Sequence, residues 1–424
     1  MAELKYSHRK FGGFFFLATN FHEKTQNNIF FFVYIGVISW LIFFMAIEKI
    51  HIEQFLDLAK QYPVIDVRSP GEYKHAHIPC AYSLPLFTDE ERKIVGTTYK
   101  QQSREQAIKI GLDFFGPKMK RMVEETETIC SQQLAVGNNK DSGLQTANCI
   151  LIYCWRGGMR SAAVAWLLDL YGFKVYTLTG GYKKFRNYVL DTFKLPFQLN
   201  IVGGYTGSGK TELLKSLQQK GERVIDLEGM ANHKGSAFGK IGMPDQPSQE
   251  MFENMLAMEL HHQFAIGNLQ SSSTPTVNCE LQTANCLWLE DESQRIGLVN
   301  IPNDLWKKMR QSPVFFLNIP FEERLKHIVQ EYGNLDQEKV IEAIIRISQK
   351  LGNLNAKTAI SLLKEDKITE SFDILLKYYD KLYFKSLHNR EGINSLLHTV
   401  ECKSVTPENT KQLVPHLRHQ YQTS

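Results

Sequence analysis

Two short stretches carry side chains whose types and spacing could do chemistry. The first is Cys154-Trp155-Arg156-Gly157-Gly158-Met159-Arg160, which leaves the apolar run Ile150–Tyr153 and enters a helical pattern at about Ser161. A thiolate, not a thiol, is the nucleophile, and a free cysteine is mostly protonated at neutral pH. A glycine-bearing turn that ends in a helix N-terminus aims several backbone N–H groups, and the positive end of the helix dipole, at one point. Gly157 and Gly158 permit such a turn, and Arg156 and Arg160 add formal charge. The stretch therefore predicts Cys154 as an activated nucleophile, within reach of solvent and of both arginines, able to hold a chalcogen or meet an anionic donor. A buried structural cysteine is the alternative, and the strand, glycines and arginines around it weigh against that.

The second stretch, Gly204-Tyr205-Thr206-Gly207-Ser208-Gly209-Lys210-Thr211, fits G-x-x-x-x-G-K-[ST] at every position. It follows the apolar QLNIV and opens the helical ELLKSLQQ, which is the context this phosphate loop requires. Gly204, Gly207 and Gly209 let amides cradle phosphate oxygens, Lys210 offsets β/γ charge, and the Thr211 hydroxyl can ligate Mg²⁺. The partner acid is expected at the end of Leu287-Trp288-Leu289, where Glu290 and Asp291 follow, with Asp226 as a competitor. The expected Mg²⁺ pair is Thr211 with Asp291. A solvated strand-end acid is the plain alternative for each, and Asp66 is a further candidate acid. Gly229–Gly239 is glycine-rich and holds His233 and Lys234, either a substrate-facing loop or an ordinary connection.

Elements must hold these loops in place. Pro63–Val67, Ile150–Tyr153 and Lys174–Leu178 read as strands, and Ala162–Tyr171 as a helix stopped by Gly172. A second βα series has strands at Gln198–Val202, Arg223–Leu227, Cys286–Leu289 and Val314–Ile319. Helical signals follow at Gln337–Leu351, Ala356–Lys364 and Thr369–Leu387. Strands alternating with helices predict an α/β protein with two parallel sheets. The expected division is 1–46, an extension; 47–193, the cysteine-loop domain; 197–334, the phosphate-loop domain; and 335–424, a helical region. The link Lys194–Pro196 is short, so the domains should touch. LQTANC occurs twice, at Leu144–Cys149 and Leu281–Cys286, in polar surroundings that read as inserted loops.

The bulk properties bound the rest. The 424 residues are 43% hydrophobic and 22% charged with a net charge of +4, a globular composition that permits a nucleic-acid partner without arguing for one. Seven cysteines in no CxxC spacing indicate neither a disulfide framework nor a zinc site. Ile29–Ile47 is uncharged and long enough to span a bilayer. However, Met45 stands at the natural start of a domain, so a start assigned too far upstream is the preferred reading, with a cytoplasmic, membrane-free enzyme.

Asp66-Val67-Arg68, Glu72-Tyr73 and His77-Ile78-Pro79 resemble the signature of rhodanese-like sulfurtransferases, and Cys154–Arg160 resembles their active-site loop. The glycine that usually follows HIP is Cys80 here, expected as a small buried residue. The order YCWRGGMRS, GGYTGSGKT, DLEGMANHKGSAFG, LWLEDESQRIG is similar to that of the tRNA 2-selenouridine synthases. That resemblance implies a rhodanese-like parallel-sheet domain followed by a P-loop NTPase-like domain with C-terminal helices. It implies selenium carried on Cys154 and taken from selenophosphate, hence a selenophosphate-producing partner enzyme. It also implies replacement of sulfur at C2 of the wobble 2-thiouridine of Lys, Glu and Gln tRNAs. The implied intermediate is a geranylated thiouridine made with geranyl diphosphate. A sulfurtransferase with a regulatory P-loop is the second reading; a P-loop kinase or ATPase with an inert first domain is the third. Lys183, Lys184 and Arg186, and Lys377, Tyr378, Tyr379, Lys381, Tyr383 and Lys385, could contact RNA, though helical spacing also suits core-facing tyrosines.

Overall fold

The computed structural model describes residues 47–136, 149–270, 286–333 and 335–413. The apolar run up to residue 46, the question of Met45, and residues 144–148 and 281–285 of the repeated hexapeptide lie outside them. Among the described residues no helix is long and apolar enough to cross a membrane.

In the first half β1 (Glu48–Ile50), β2 (Val64–Asp66), β3 (Tyr82–Ser83), β4 (Cys149–Tyr153) and β5 (Lys174–Leu178) form one sheet in the order β1-β5-β4-β2-β3. Every neighbouring pair is parallel. Such strands are covered on both faces and read as continuous apolar runs; Ile150 through Tyr153 are wholly buried. Helices α1 (Ile52–Leu58), α2 (Pro70–His75), α3 (Asp89–Gln101), α4 (Arg104–Phe115) and α5 (Met119–Val136) precede β4, and α6 (Met159–Tyr171) and α7 (Gly181–Thr192) flank β5. The register pairs Asp66 with Tyr153. The turns that follow β2 and β4 therefore emerge side by side at the carboxyl edge of the sheet, where ligands of parallel α/β sheets bind.

The second half repeats the plan. β6 (Gln198–Gly204), β7 (Val224–Ile225), β8 (Cys286–Glu290), β11 (Val314–Asn318) and β12 (Leu397–Glu401) form a parallel sheet in the order β12-β11-β6-β8-β7. β9 (Arg295–Ile296) and β10 (Val299–Asn300) make a separate antiparallel hairpin. The helices are α8 (Lys210–Gln219), α9 (Leu227–Ala231), α10 (Gln249–Gln270), α11 (Asn303–Arg310), α12 (Phe321–Tyr332), α13 (Gln337–Leu351), α14 (Asn353–Lys364), α15 (Ile368–His388) and α16 (Ile393–Leu396). The expected helical region from 335 onward holds as far as α15, but the chain then returns as β12 to pair with β11. Helices α13–α15 are thus carried between two neighbouring strands of the sheet. β12, LHTVE, has too little periodicity to announce itself; what makes it a strand is β11, against which Val400 is fully buried.

The two halves share apolar packing. One cluster runs from Ile50, Phe55 and Tyr182 through Phe193 to Leu256, Leu289 and Leu305. At the α7–α10 junction the Tyr182 hydroxyl donates to Glu250 (2.8 Å), and Asn254 Nδ2 donates to the Tyr182 hydroxyl (2.8 Å) and to His77 O (2.9 Å). Arg186 donates to Asn254 and pairs with Glu253. Arg186 is thus engaged within the protein, not displayed for RNA, whereas Lys183 and Lys184 are exposed.

Candidate active sites

The cysteine loop is built by the tight approach of two turns. Gly157 (φ 63°) and Gly181 (φ 58°) both take the left-handed conformation that side chains disfavour. A Cβ on Gly181 would strike Cys154 O, Gly157 N and Arg156 N. Tyr182 N donates to Cys154 O (2.8 Å) and Lys183 N to Trp155 O (3.0 Å), fastening the loop to the start of α7. Cys154 is 3% exposed. Its Sγ accepts from Gly158 N (3.3 Å) and lies 3.2 Å from Ser161 Oγ. The sulfur sits one layer below the surface, with Trp155, Arg156, Gly158 and Met159 exposed above it.

The arginines differ from expectation. Arg160 Nη1 donates to Glu72 Oε2 (2.8 Å), and Glu72 also receives Arg92. Burial pushes the Glu72 carboxyl up, but the hydrogen bond and charge of Arg160, with help from Ser69 and Arg92, outweigh it and hold the group at about 2. Arg160 is therefore tied to Glu72, and Arg156 stands exposed. What the structure sets directly on the sulfur is an amide and a hydroxyl.

Asp66 is no surface acid. It is fully buried, takes Arg68 in a bidentate pair and accepts the Tyr153 hydroxyl (2.7 Å). Arg68 also donates to Ala76 O (2.7 Å) and stacks on Tyr182, 3.8 Å from its ring centre. A buried ion pair needs all its hydrogen-bonding capacity met, and this one supports the strand end beneath the loop. Cys80 is exposed, with φ 67°. It occupies a left-handed turn, which explains why a glycine is usual there and corrects the expectation of a buried residue.

The phosphate loop opens a cavity of about 570 Å³ lined by Gly204, Thr206–Glu212, Asp226, Glu228, Lys234–Ser236 and Glu290–Ser293, with α12 and α15 on the far side. Arg324 clamps the loop from outside: it donates to Thr206 O (3.0 Å) and forms a bidentate hydrogen-bonded pair with Asp380 (2.9 and 2.8 Å). Lys210 Nζ donates to Gly204 O at 3.4 Å, and among the described residues the buried Ser208 hydroxyl has no partner.

The acids sort themselves by partner. Asp291, the expected Mg²⁺ ligand, is committed elsewhere: Arg390 Nη2 donates to it at 2.5 Å and the Tyr383 hydroxyl at 2.7 Å. Tyr383 also receives Gly204 N (3.1 Å), so Asp291 holds the rim of the loop by way of α15. Asp226 caps α9, accepting from Gly229 N (2.7 Å). Glu290, at 1% exposure, faces the loop, and its Oε1 has no partner. Glu228, Glu290 and Glu292 bring one oxygen each within 4.8 Å of one another. Burial first, then mutual repulsion, raises Glu228 and Glu290 to about 8 and Glu292 to about 7, against the pull of Lys210.

In the 229–239 loop, Lys234 lines the cavity and pairs with Glu331. His233 does not line it; its ring packs between Gly239 and Gly297, Nδ1 has no partner, and burial, with Arg346 and Lys240, pushes its pKa down. Beside the cavity, sharing Thr206, Ser236, Ile328, Tyr332 and Tyr379 with it, lies a cleft walled by Phe238, Phe372, Leu375 and Leu376. This cleft encloses about 20 Å³. An apolar lobe thus abuts a phosphate cradle.

A family model described as the tRNA 2-selenouridine synthase AAA domain matches residues 197–406, and a rhodanese-like domain model matches 51–188. The tRNA 2-selenouridine synthase of Hydrogenovibrio crunogenus is 32% identical over 363 residues, 78% of this chain and 91% of that protein. The chain belongs to the tRNA 2-selenouridine synthase family. The synthase of Sulfurovum sp. is 34% identical over 76% of this chain and 87% of its own, and that of Bdellovibrio bacteriovorus 31% over 82% and 94%. Membership makes this chain a transferase acting on tRNA. It also disfavours the simple sulfurtransferase, because the phosphate-loop half is matched as part of the same synthase.

Several residues of this family member were not singled out in the sequence for the roles they take; Glu72 was noted only within the rhodanese-like signature and Tyr383 only as a candidate RNA contact. Glu228 and Glu292 stand two positions from acids that were, in DLEG and LEDE. The acid-rich strand ends were the signal, but which acid turns inward depends on the twist after β7 and β8. Glu72, Arg324, Tyr383 and Arg390 left no local signal of their roles, since their partners lie 56 to 179 residues away.

Proposed function

We propose that this chain replaces sulfur by selenium at C2 of wobble 2-thiouridine in Lys, Glu and Gln tRNAs, in two steps divided between its two sites. In the first, the thiouridine sulfur attacks C1 of geranyl diphosphate; a C–S bond forms, the C–O bond breaks and diphosphate leaves. Gly204, Gly207, Gly209 and Lys210 grip the diphosphate, and the prenyl chain enters the Phe238–Phe372–Leu376 lobe as those side chains part. The one observation that supports this reading is the apolar wall of Phe238, Phe372, Leu375 and Leu376 beside the phosphate loop; the cleft holds about 20 Å³, so a prenyl chain enters only as that wall opens. Alkylation makes the sulfur a good leaving group. In the second step the selenium of selenophosphate, held at the Cys154 loop, attacks C2: the C–Se bond forms, the C–S bond breaks, geranylthiol leaves with a proton, and water then cleaves the Se–P bond to release phosphate.

The loop residues fit a divalent cation. Thr211 with Glu290, and Glu228 and Glu292 in place of the expected Asp291, would hold Mg²⁺, which would offset the charge on the departing diphosphate. Lys234 would face the substrate, and Gly158 N–H and Ser161 would hold the Cys154 sulfur in place beside the selenium donor. The enzyme works in the cytoplasm with a selenophosphate-producing partner. Mass spectrometry of tRNA nucleosides tests the division: Cys154→Ser should accumulate geranylated thiouridine, and Lys210→Ala should leave 2-thiouridine unchanged. Loss of both products in both variants would contradict it.

A further inference from the structure

A second depression, of about 410 Å³, adjoins the phosphate-loop cavity and is lined by Trp306, Arg310, Leu382, Lys385, Ser386 and Asn389. Leu382 and Ser386 line both, so the two spaces flank one stripe of α15. Residues 382, 386 and 385, 389 are i,i+4 pairs on that stripe, and Trp306 and Arg310 are such a pair on α11. The Arg310 guanidinium lies 5.7 Å from the centre of the Trp306 ring and donates to Ser386 O (3.2 Å). Lys307, Lys381 and Lys385 are exposed around it, and none of them makes an ion pair among the described residues. Arg310 also lies within reach of the charges of the Arg390–Asp291 pair. Exposed lysines without ion-pair partners among the described residues, an aromatic face and a position beside the reaction cavity are what an unstacked nucleotide in a single-stranded loop requires.

We propose that this groove receives the anticodon loop, with a nucleobase next to the reacting uridine stacked at Trp306 and its phosphates set against Lys381, Lys385 and Arg310. The proposal rests on the reading that sulfur alkylation occurs in the adjoining cavity, because only then must the wobble base arrive from this side. A docked protein segment is the poorer occupant, since the exposed lysines, none of them ion-paired among the described residues, suit a phosphate backbone.

The test measures binding of a thiolated anticodon stem-loop by fluorescence anisotropy over a series of salt concentrations, and of geranyl diphosphate by calorimetry. Trp306→Ala should weaken RNA binding about five- to a hundredfold, the range of one lost base stack. Lys381→Gln with Lys385→Gln removes two exposed charges without touching the core, and should lower the slope of log K against log salt by about 1.4. Geranyl diphosphate affinity should not change in either variant, and the melting temperature should not change in the double lysine variant, whereas Trp306→Ala should melt lower, because Trp306 packs against the core. Wild-type RNA affinity and slope in the double lysine variant would overturn the proposal. If geranyl diphosphate fails to bind any variant, wild type included, while RNA binding still falls in the groove variants, the groove stands and the alkylation reading does not.

Discussion

Gly181→Ala is the sharpest probe of how the cysteine loop is held. The substitution adds one methyl group, far in sequence from Cys154. At φ 58° the alanine would sit in the left-handed region, at a cost of about 1–2 kcal/mol. The new Cβ would lie 2.5 Å from Gly157 N, 2.9 Å from Arg156 N and closer still to Cys154 O. All three are backbone atoms, so no rotamer change relieves the clash, and overpacking of this kind adds about 1–3 kcal/mol. The stiffer unfolded chain returns about 0.4–1 kcal/mol. The net loss is about 1–5 kcal/mol, which for a domain of this size lowers the melting temperature by roughly 2–20 °C. Because the displaced atoms carry the Gly158 amide and Sγ, selenium transfer should fall more steeply than prenylation. Gly158→Ala is the matched control: a Cβ there meets nothing within 4 Å, so it should melt near wild type. Calorimetry together with nucleoside mass spectrometry reads both effects. A Gly181→Ala protein with wild-type melting and full selenouridine would refute the packing argument.

The other predictions concern the acids. Glu290→Gln should abolish stabilisation by Mg²⁺ yet leave the metal-free melting temperature unchanged or higher, while Asp291→Asn should cost about 3–5 kcal/mol by stranding the buried Arg390. Thermal melts with and without Mg²⁺ separate the two, and a reversed pattern would restore Asp291 as the metal ligand. The raised carboxyls of Glu228, Glu290 and Glu292 hold protons in the folded chain that the unfolded chain releases above 4.5, so metal-free stability should be greatest below that value and fall as pH rises through about 7 to 8. A cation must displace those protons, so the Mg²⁺-induced rise in melting temperature should be large at pH 9 and nearly absent at pH 6. Glu72→Gln frees Arg160 from its carboxylate; selenium transfer should change while prenylation stays constant, and equal loss of both would mean that Glu72 only supports the fold.

The sequence by itself determined the two chemical loops, their order, the strands behind them and the parallel α/β class. Those features are local: a phosphate loop is eight consecutive residues, and a doubly covered strand is one apolar run. The motifs also sufficed to point to the family. Tertiary structure decided which charged groups are paired within the fold and which face the cavity. Asp291 and Asp66 looked like free acids because Arg390 is far along the chain and because Arg68, though near, is fixed by Ala76 O and the Tyr182 ring. Arg160 looked free until Glu72 was brought against it by the pairing of β2 with β4. β12 exists only because β11 offers it an edge. A charge takes its role from its partner, and the partner is chosen by the packing of elements, which no short window of residues contains.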